Sequence, residues 1–277
     1  MVKYSIIRKI KNNLFLLFSF ICTSIGCSMN CSSYVYYPET KIYNTPADMA
    51  MKYKELYLTT EDNVRINAWY VPSETNRGTV LFCHGNGGNI STLSETIKMA
   101  NGLGLNIMVF DYRGYGKSDG TSSENGTYLD AERCYNYLTT DLSTPPEKII
   151  VWGRSLGGAV AVDLAAKQNP ALLIVESSFT SLRAVTTDIT GFKYVTAVYG
   201  KQYNSIEKIS SVKCPVMIIH SSEDDMIGVH HGKALLESVT TQKDFLEITG
   251  GHNTGFINNF ELISASVDSF LKNNYDR

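Results

Sequence analysis

The sequence predicts an α/β fold, with a mostly parallel central sheet, helices on both faces and a small cap. Three observations carry this expectation. Short apolar runs recur at 80–83, 107–110, 149–152, 172–175 and 216–219, as strands buried on both faces require. Helix-like stretches alternate with them at 92–100, 126–138, 156–167 and 231–239. Ahead of both, 55–59 and 64–71 alternate apolar and polar residues around Glu61-Asp62-Asn63, a hairpin signal.

The chain has 277 residues, 43% of them hydrophobic and 19% charged, enough for one large domain with a sizeable core. The net charge of −2 gives no basic surplus that would point to nucleic acid.

At the start, Lys3, Arg8, Lys9 and Lys11 precede an apolar run from Leu14 to Gly26. A basic start before a run this short reads as a secretory signal, since a spanning helix needs about 20 apolar residues. Ser24-Ile25-Gly26 before Cys27 resembles a lipoprotein cleavage site, with Ser24 where leucine is usual. An uncleaved hydrophobic anchor is the alternative, and palmitoylation at Cys22 and Cys31 a third. Residues 1–26 are therefore expected to be a signal peptide or membrane anchor, placing the protein in the cell envelope. Residues 27–54 are expected to form a tether that ends against the domain edge, and 55–277 the domain. Cys83 and Cys214 lie in or at apolar runs and read as buried free thiols. No cysteine has zinc-site spacing.

The segment 179–213 is longer than a usual connection between core strands and is read as a cap, rather than an ordinary helix plus loop. Its aromatics Phe192, Tyr194, Tyr199 and Tyr203 hint at an apolar group below, or simply pack the cap down.

G-x-S-x-G occurs twice, around Ser118 and around Ser155. A nucleophilic serine in this motif needs a buried strand directly before it and a helix directly after. The turn then thrusts Oγ into a cleft, and the helix N-terminus favours developing negative charge. Ser155 follows the run 149–152 and leads into the small-residue stretch 158–166, whereas Ser118 has loop on both sides. Ser155 is the expected nucleophile and Ser118 a turn residue.

A base must come from five histidines. His230 and His231 adjoin a helix start and suit a solvated role. In the order serine, acid, histidine, only His252, in Gly250-Gly251-His252-Asn253, sits late enough with a flexible loop around it. The acid lies between, after the run 216–219, where Glu223, Asp224 and Asp225 are adjacent. The need to orient the imidazole and stabilise its cation leaves all three open.

These stretches resemble the α/β-hydrolase superfamily, in its small-capped branch of esterases, acyl-thioesterases and depalmitoylase-like proteins. The matching pieces are His84-Gly85-Asn86-Gly87-Gly88-Asn89, Asp111-Tyr112-Arg113-Gly114-Tyr115-Gly116, Gly153-Arg154-Ser155-Leu156-Gly157-Gly158, Glu176-Ser177-Ser178-Phe179-Thr180-Ser181 and Gly250-Gly251-His252-Asn253. The resemblance implies that the acid stands four residues after the strand-end His220, which is Asp224. Ser221 and Gly228 depart from the family's glycine and proline, and Asp225 stays a minor candidate. The resemblance also implies an oxyanion hole from the backbone N–H groups of Asn86 and Leu156, which fits a glycine-rich loop and the residue after the nucleophile. Asp111 and Arg113 are expected to brace the loop that carries Ser118.

The expected activity is hydrolysis of a carboxylic ester or thioester through an acyl-enzyme, without metal or cofactor. The expected partner is a small-molecule or lipid-like acyl substrate, or an acylated protein. A serine peptidase would use the same three residues, although aminopeptidase-like members usually carry larger caps. A non-catalytic binding protein would need none of them. A serine rather than an aspartate at position 155 disfavours dehalogenase and epoxide-hydrolase chemistry.

Overall fold

The computed structural model describes residues 35–191 and 200–276. Eight strands form one sheet: β1 (Lys54–Thr59), β2 (Arg65–Val71), β3 (Gly78–Cys83), β4 (Leu105–Phe110), β5 (Ile149–Arg154), β6 (Leu172–Glu176), β7 (Val216–Ser221) and β8 (Lys243–Ile248). Their order across the sheet is β8-β7-β6-β5-β3-β4-β2-β1. The hairpin β1–β2 and the β2–β4 pair are antiparallel, and every other pair is parallel.

The continuous apolar runs are explained by the two layers that cover the sheet. In β3, Leu81 and Cys83 face one core while Val80 and Phe82 face the other, and β5 divides Ile149 and Val151 from Ile150 and Trp152 in the same way. On the first side pack α2 (Glu124–Asn136), α3 (Leu156–Gln168) and α5 (Val229–Ser238), through Ala131, Cys134, Val160, Leu164 and Leu235. On the second pack α1 (Ser94–Gly102), through Ile97 and Met99, and α6 (Phe260–Asn274), through Ile263, Val267 and Phe270. A further helix, α4 (Leu182–Thr190), belongs to the segment expected as a cap. Helix α6 was not among the elements expected from sequence, although its buried residues keep helical spacing.

Residues ahead of Glu55 pack on the domain. Val35 and Tyr36 are already buried in the first core, and Tyr37–Pro38 forms a short parallel ladder with Gly87–Gly88. Of the cap aromatics, Phe192, Tyr194 and Tyr199 lie outside the described residues. Tyr203 is fully buried, with its hydroxyl 2.7 Å from that of Tyr36 and 2.9 Å from Thr127 Oγ1, so it anchors the cap to the domain. Cys83, Cys134 and Cys214 are buried free thiols, as expected for the first and last. The expectations for residues 1–26, including Cys22, and for Cys27 and Cys31 fall outside the described residues. Among the described residues, no helix is long and apolar enough to cross a membrane.

Candidate active site

Ser155 sits between β5 and α3 with φ 55° and ψ −120°. A non-glycine residue rarely adopts this conformation, and the surroundings enforce it. Ser155 N donates to Glu176 O at 2.9 Å, and its carbonyl accepts from Ser178 Oγ at 2.8 Å and Gly158 N at 3.0 Å. The motif's glycines permit the approach of strand, helix and neighbouring loop. A Cβ on Gly153 would lie 2.1 Å from Gly157 O, and one on Gly157 would lie 2.0 Å from Cys83 O. Arg154 pairs with buried Glu176 at 2.6 Å and lies 4.0 Å over the Phe256 ring, joining the elbow to the segment after His252.

The Ser155 hydroxyl meets His252. Ser155 Oγ lies 3.1 Å from Nε2, and His252 Nδ1 lies 2.8 Å from Asp224 Oδ2. The Asp224 side chain is 0% exposed and that of His252 8%, so water is largely kept from this contact. Asp224 Oδ1 accepts the N–H groups of Met226 and Ile227 at 2.9 and 2.8 Å. Burial pushes the Asp224 pKa up, but the hydrogen bonds from His252 and these N–H groups outweigh it and hold the carboxyl below its ordinary value.

The sequence left three acids open, and each has a separate task on the same loop. Asp224 takes the His252 ring. Asp225 Oδ1 accepts the His252 main-chain N–H at 3.1 Å, and Glu223 Oε2 accepts Gly250 N at 2.7 Å. Ser221, where the family usually has glycine, donates its hydroxyl to Gly250 O and ties the same loop from the strand end.

The glycine-rich loop after β3 lies against the elbow. A Cβ on Gly85 would stand 3.7 Å from Ser155 Cβ. Leu156 opens α3, so its N–H has no acceptor within the helix. Asn86 is fixed through its other groups: its carbonyl accepts Tyr37 N at 2.8 Å and the Tyr115 hydroxyl at 2.7 Å, and its side chain donates to Val35 O at 3.1 Å. Its N–H makes no hydrogen bond among the described residues.

The segment from Val35 to Lys41, expected as part of a tether, straps this loop. Glu39 N donates to Gly88 O at 3.1 Å, and Asn89 Nδ2 donates to the carbonyls of Glu39 and Lys41, both at 2.8 Å. These bonds are main-chain or short-range in chemistry and long-range in sequence, so no motif announces them.

The other singled-out residues fall outside the contact. Ser118 is a turn residue whose hydroxyl donates to Asp111 O at 2.7 Å. Arg113 braces that region through Asp62 and Asp130 at 2.7 and 2.9 Å. His220 is buried, with Nε2 2.8 Å from Ile227 O. His231 is buried too, contrary to the solvated role expected for it, while His230 is exposed.

A buried serine on a strained elbow, with an imidazole and a carboxylate in line, is the arrangement of a hydrolase. Residues 78–175 match the family model described as the alpha/beta hydrolase fold. An uncharacterized protein of Mycobacterium tuberculosis is 34% identical over 241 residues, spanning 86% of this chain and 85% of that one. Human alpha/beta hydrolase domain-containing protein 17B is 35% identical over 203 residues, 72% of this chain and 69% of that one. An esterase of Pyrococcus furiosus shares the fold with a TM-score of 0.74 at 21% identity, covering 86% of this chain and 99% of the esterase. The chain belongs to the α/β-hydrolase superfamily, and its class is that of a hydrolase.

Proposed function

We propose that the protein is a serine hydrolase that cleaves carboxylic ester or thioester bonds through an acyl-enzyme on Ser155. The observation that carries this reading is the aligned set Ser155 Oγ, His252 Nε2, His252 Nδ1 and Asp224 Oδ2, at 3.1 and 2.8 Å. His252 Nε2 takes the Ser155 proton as Oγ attacks the carbonyl carbon. Negative charge then moves to the carbonyl oxygen, where the N–H groups of Asn86 and Leu156 receive it. Asp224 stabilises the imidazolium. The imidazolium returns its proton to the departing alkoxide or thiolate, and a water activated by His252 releases the acid and restores Ser155.

The basic and apolar start of the chain supports a place in the cell envelope, held by an N-terminal anchor or a lipid at Cys27. A lipid-like acyl substrate, or an acylated protein, suits that place.

A fluorophosphonate probe should label the protein stoichiometrically, with the adduct on the peptide containing Ser155. Labelling of the wild type equal to that of Ser155→Ala, or none, would overturn the reading.

A further inference from the structure

Asp188, His230 and His231 come together apart from the triad. Asp188 stands in the last turn of α4, and the two histidines open α5. Asp188 Oδ2 lies 2.8 Å from His230 Nε2 and 3.0 Å from His231 Nε2. The three donor atoms all fall within 4.8 Å of one another. The rings are neighbours, with centroids 4.4 Å apart and planes 32° from parallel, so both Nε2 tips meet the same carboxylate oxygen.

A surface ion pair would need only one of these histidines. His231 is 2% exposed, and its buried Nε2 stands 3.0 Å from Asp188 Oδ2 without the alignment of a full hydrogen bond. Buried polar atoms are rarely left so. The other ring nitrogen is supported: Nδ1 lies 3.0 Å from Thr180 Oγ1 and 3.3 Å from Thr180 N. With Nε2 on a metal, Nδ1 would carry the proton and donate to the threonine hydroxyl, in place of the bond it accepts from Thr180 N–H.

We propose that Asp188, His230 and His231 form a binding site for a borderline divalent metal ion of the zinc class. Two imidazoles and one carboxylate are the donor set such ions take, with water at a fourth position. Bonds of about 2.0–2.2 Å would spread the ligand atoms to roughly 3.3 Å in a tetrahedron, which asks the Asp188–histidine contacts to open by a few tenths of an ångström. Asp188 lies near the C-terminal end of α4, where a cation is favoured. The ion would tie α4 of the cap to α5. Helix α5 follows the loop that carries Asp224 and packs on His220, whose Nδ1 would lie 2.5 Å from a Cβ on Gly232.

The test is Zn2+ binding by the full chain, measured by equilibrium dialysis, with the visible absorption of bound Co2+ as a second readout. His230→Ala removes a side chain that is 66% exposed, so it leaves the fold intact, as far-UV circular dichroism should register. The wild type should bind one equivalent more than His230→Ala or Asp188→Asn at roughly 100 µM Zn2+, or bind it at least about tenfold more tightly. It should gain thermal stability with Zn2+ where His230→Ala does not. His252→Ala should bind as the wild type does. Equal binding by wild type and His230→Ala would overturn the site, as would no binding, or a loss confined to His252→Ala, which would place the ion on the triad.

Discussion

Asp225 holds the backbone of the residue whose ring Asp224 holds: its Oδ1 accepts His252 N–H at 3.1 Å, while Asp224 Oδ2 meets His252 Nδ1 at 2.8 Å. One carboxylate therefore sets the position of the histidine, and the other its tautomer and charge. Removing the second should cost far more than removing the first. Asp224→Asn should lower kcat on a p-nitrophenyl ester by about 100- to 10,000-fold, and Asp225→Asn by no more than about tenfold. Steady-state kinetics of both variants decide it. A larger loss in Asp225→Asn would exchange their roles.

Gly157 is required by space and not only by the turn. A Cβ there would lie 2.0 Å from Cys83 O and 2.4 Å from His84 O, main-chain atoms that cannot swing aside. Gly157→Ala should destabilise the protein by about 2–3 kcal/mol, or roughly 5–10 °C in Tm. Gly102 is the control: it ends α1, and a Cβ there meets nothing within 4 Å. Gly102→Ala should leave Tm unchanged or raise it slightly. Calorimetry that finds the two variants alike would refute the steric argument.

Two parts of the molecule were not equally legible in its sequence. The sheet could be read because strands covered on both faces must be apolar at every position, as in β3 and β5. Ser155 could be selected over Ser118 because the chemistry demands a strand and a helix on either side. The choice of Asp224 needed a family resemblance, since three adjacent acids differ only in where a turn points them. The strap at 35–41 was not legible, because its bonds to Asn86, Gly88 and Asn89 join segments about 50 residues apart through groups that most residues possess. The contact of Asp188 with the two histidines was hidden for the same reason: it joins the cap to α5 across 42 positions.

The strap gives the loop after β3 its shape, so loosening it should affect turnover before binding. Asn89 is the hinge of that contact, with Nδ2 donating to the carbonyls of Glu39 and Lys41 and Oδ1 accepting Ser91 N at 2.9 Å. Asn89→Asp keeps the bond from Ser91 but sets a carboxylate against the two strap carbonyls. It should lower kcat by roughly tenfold with KM within about twofold, the pattern for loss of an interaction made in the transition state, and speed limited proteolysis near residues 35–45. A variant with altered KM alone would mean that the strap shapes substrate binding instead.

Asp111 should give the protein a stability that falls as pH rises. It is fully buried, its Oδ1 accepts Ile90 N at 2.9 Å and its Oδ2 has no hydrogen-bond partner. His84 Nε2 lies 3.8 Å away and is also unpartnered, and since His84 Nδ1 is 2.7 Å from Gly85 O and donates there, Nε2 presents a lone pair. Burial pushes the Asp111 pKa up to about 7 from 3.8. The folded protein thus keeps a proton that the unfolded chain gives up, so this contribution is full below about pH 4 and is lost as pH rises through about 7. His84 works the other way at lower pH, because burial holds its pKa down at about 4 and its neutral form stabilises the fold above the ordinary histidine range. Urea midpoints between pH 5 and 8 for wild type and Asp111→Asn separate the two, since His84 is common to both. The wild type should lose stability relative to the variant across that range, and parallel curves would show that Asp111 is already ionised at pH 5.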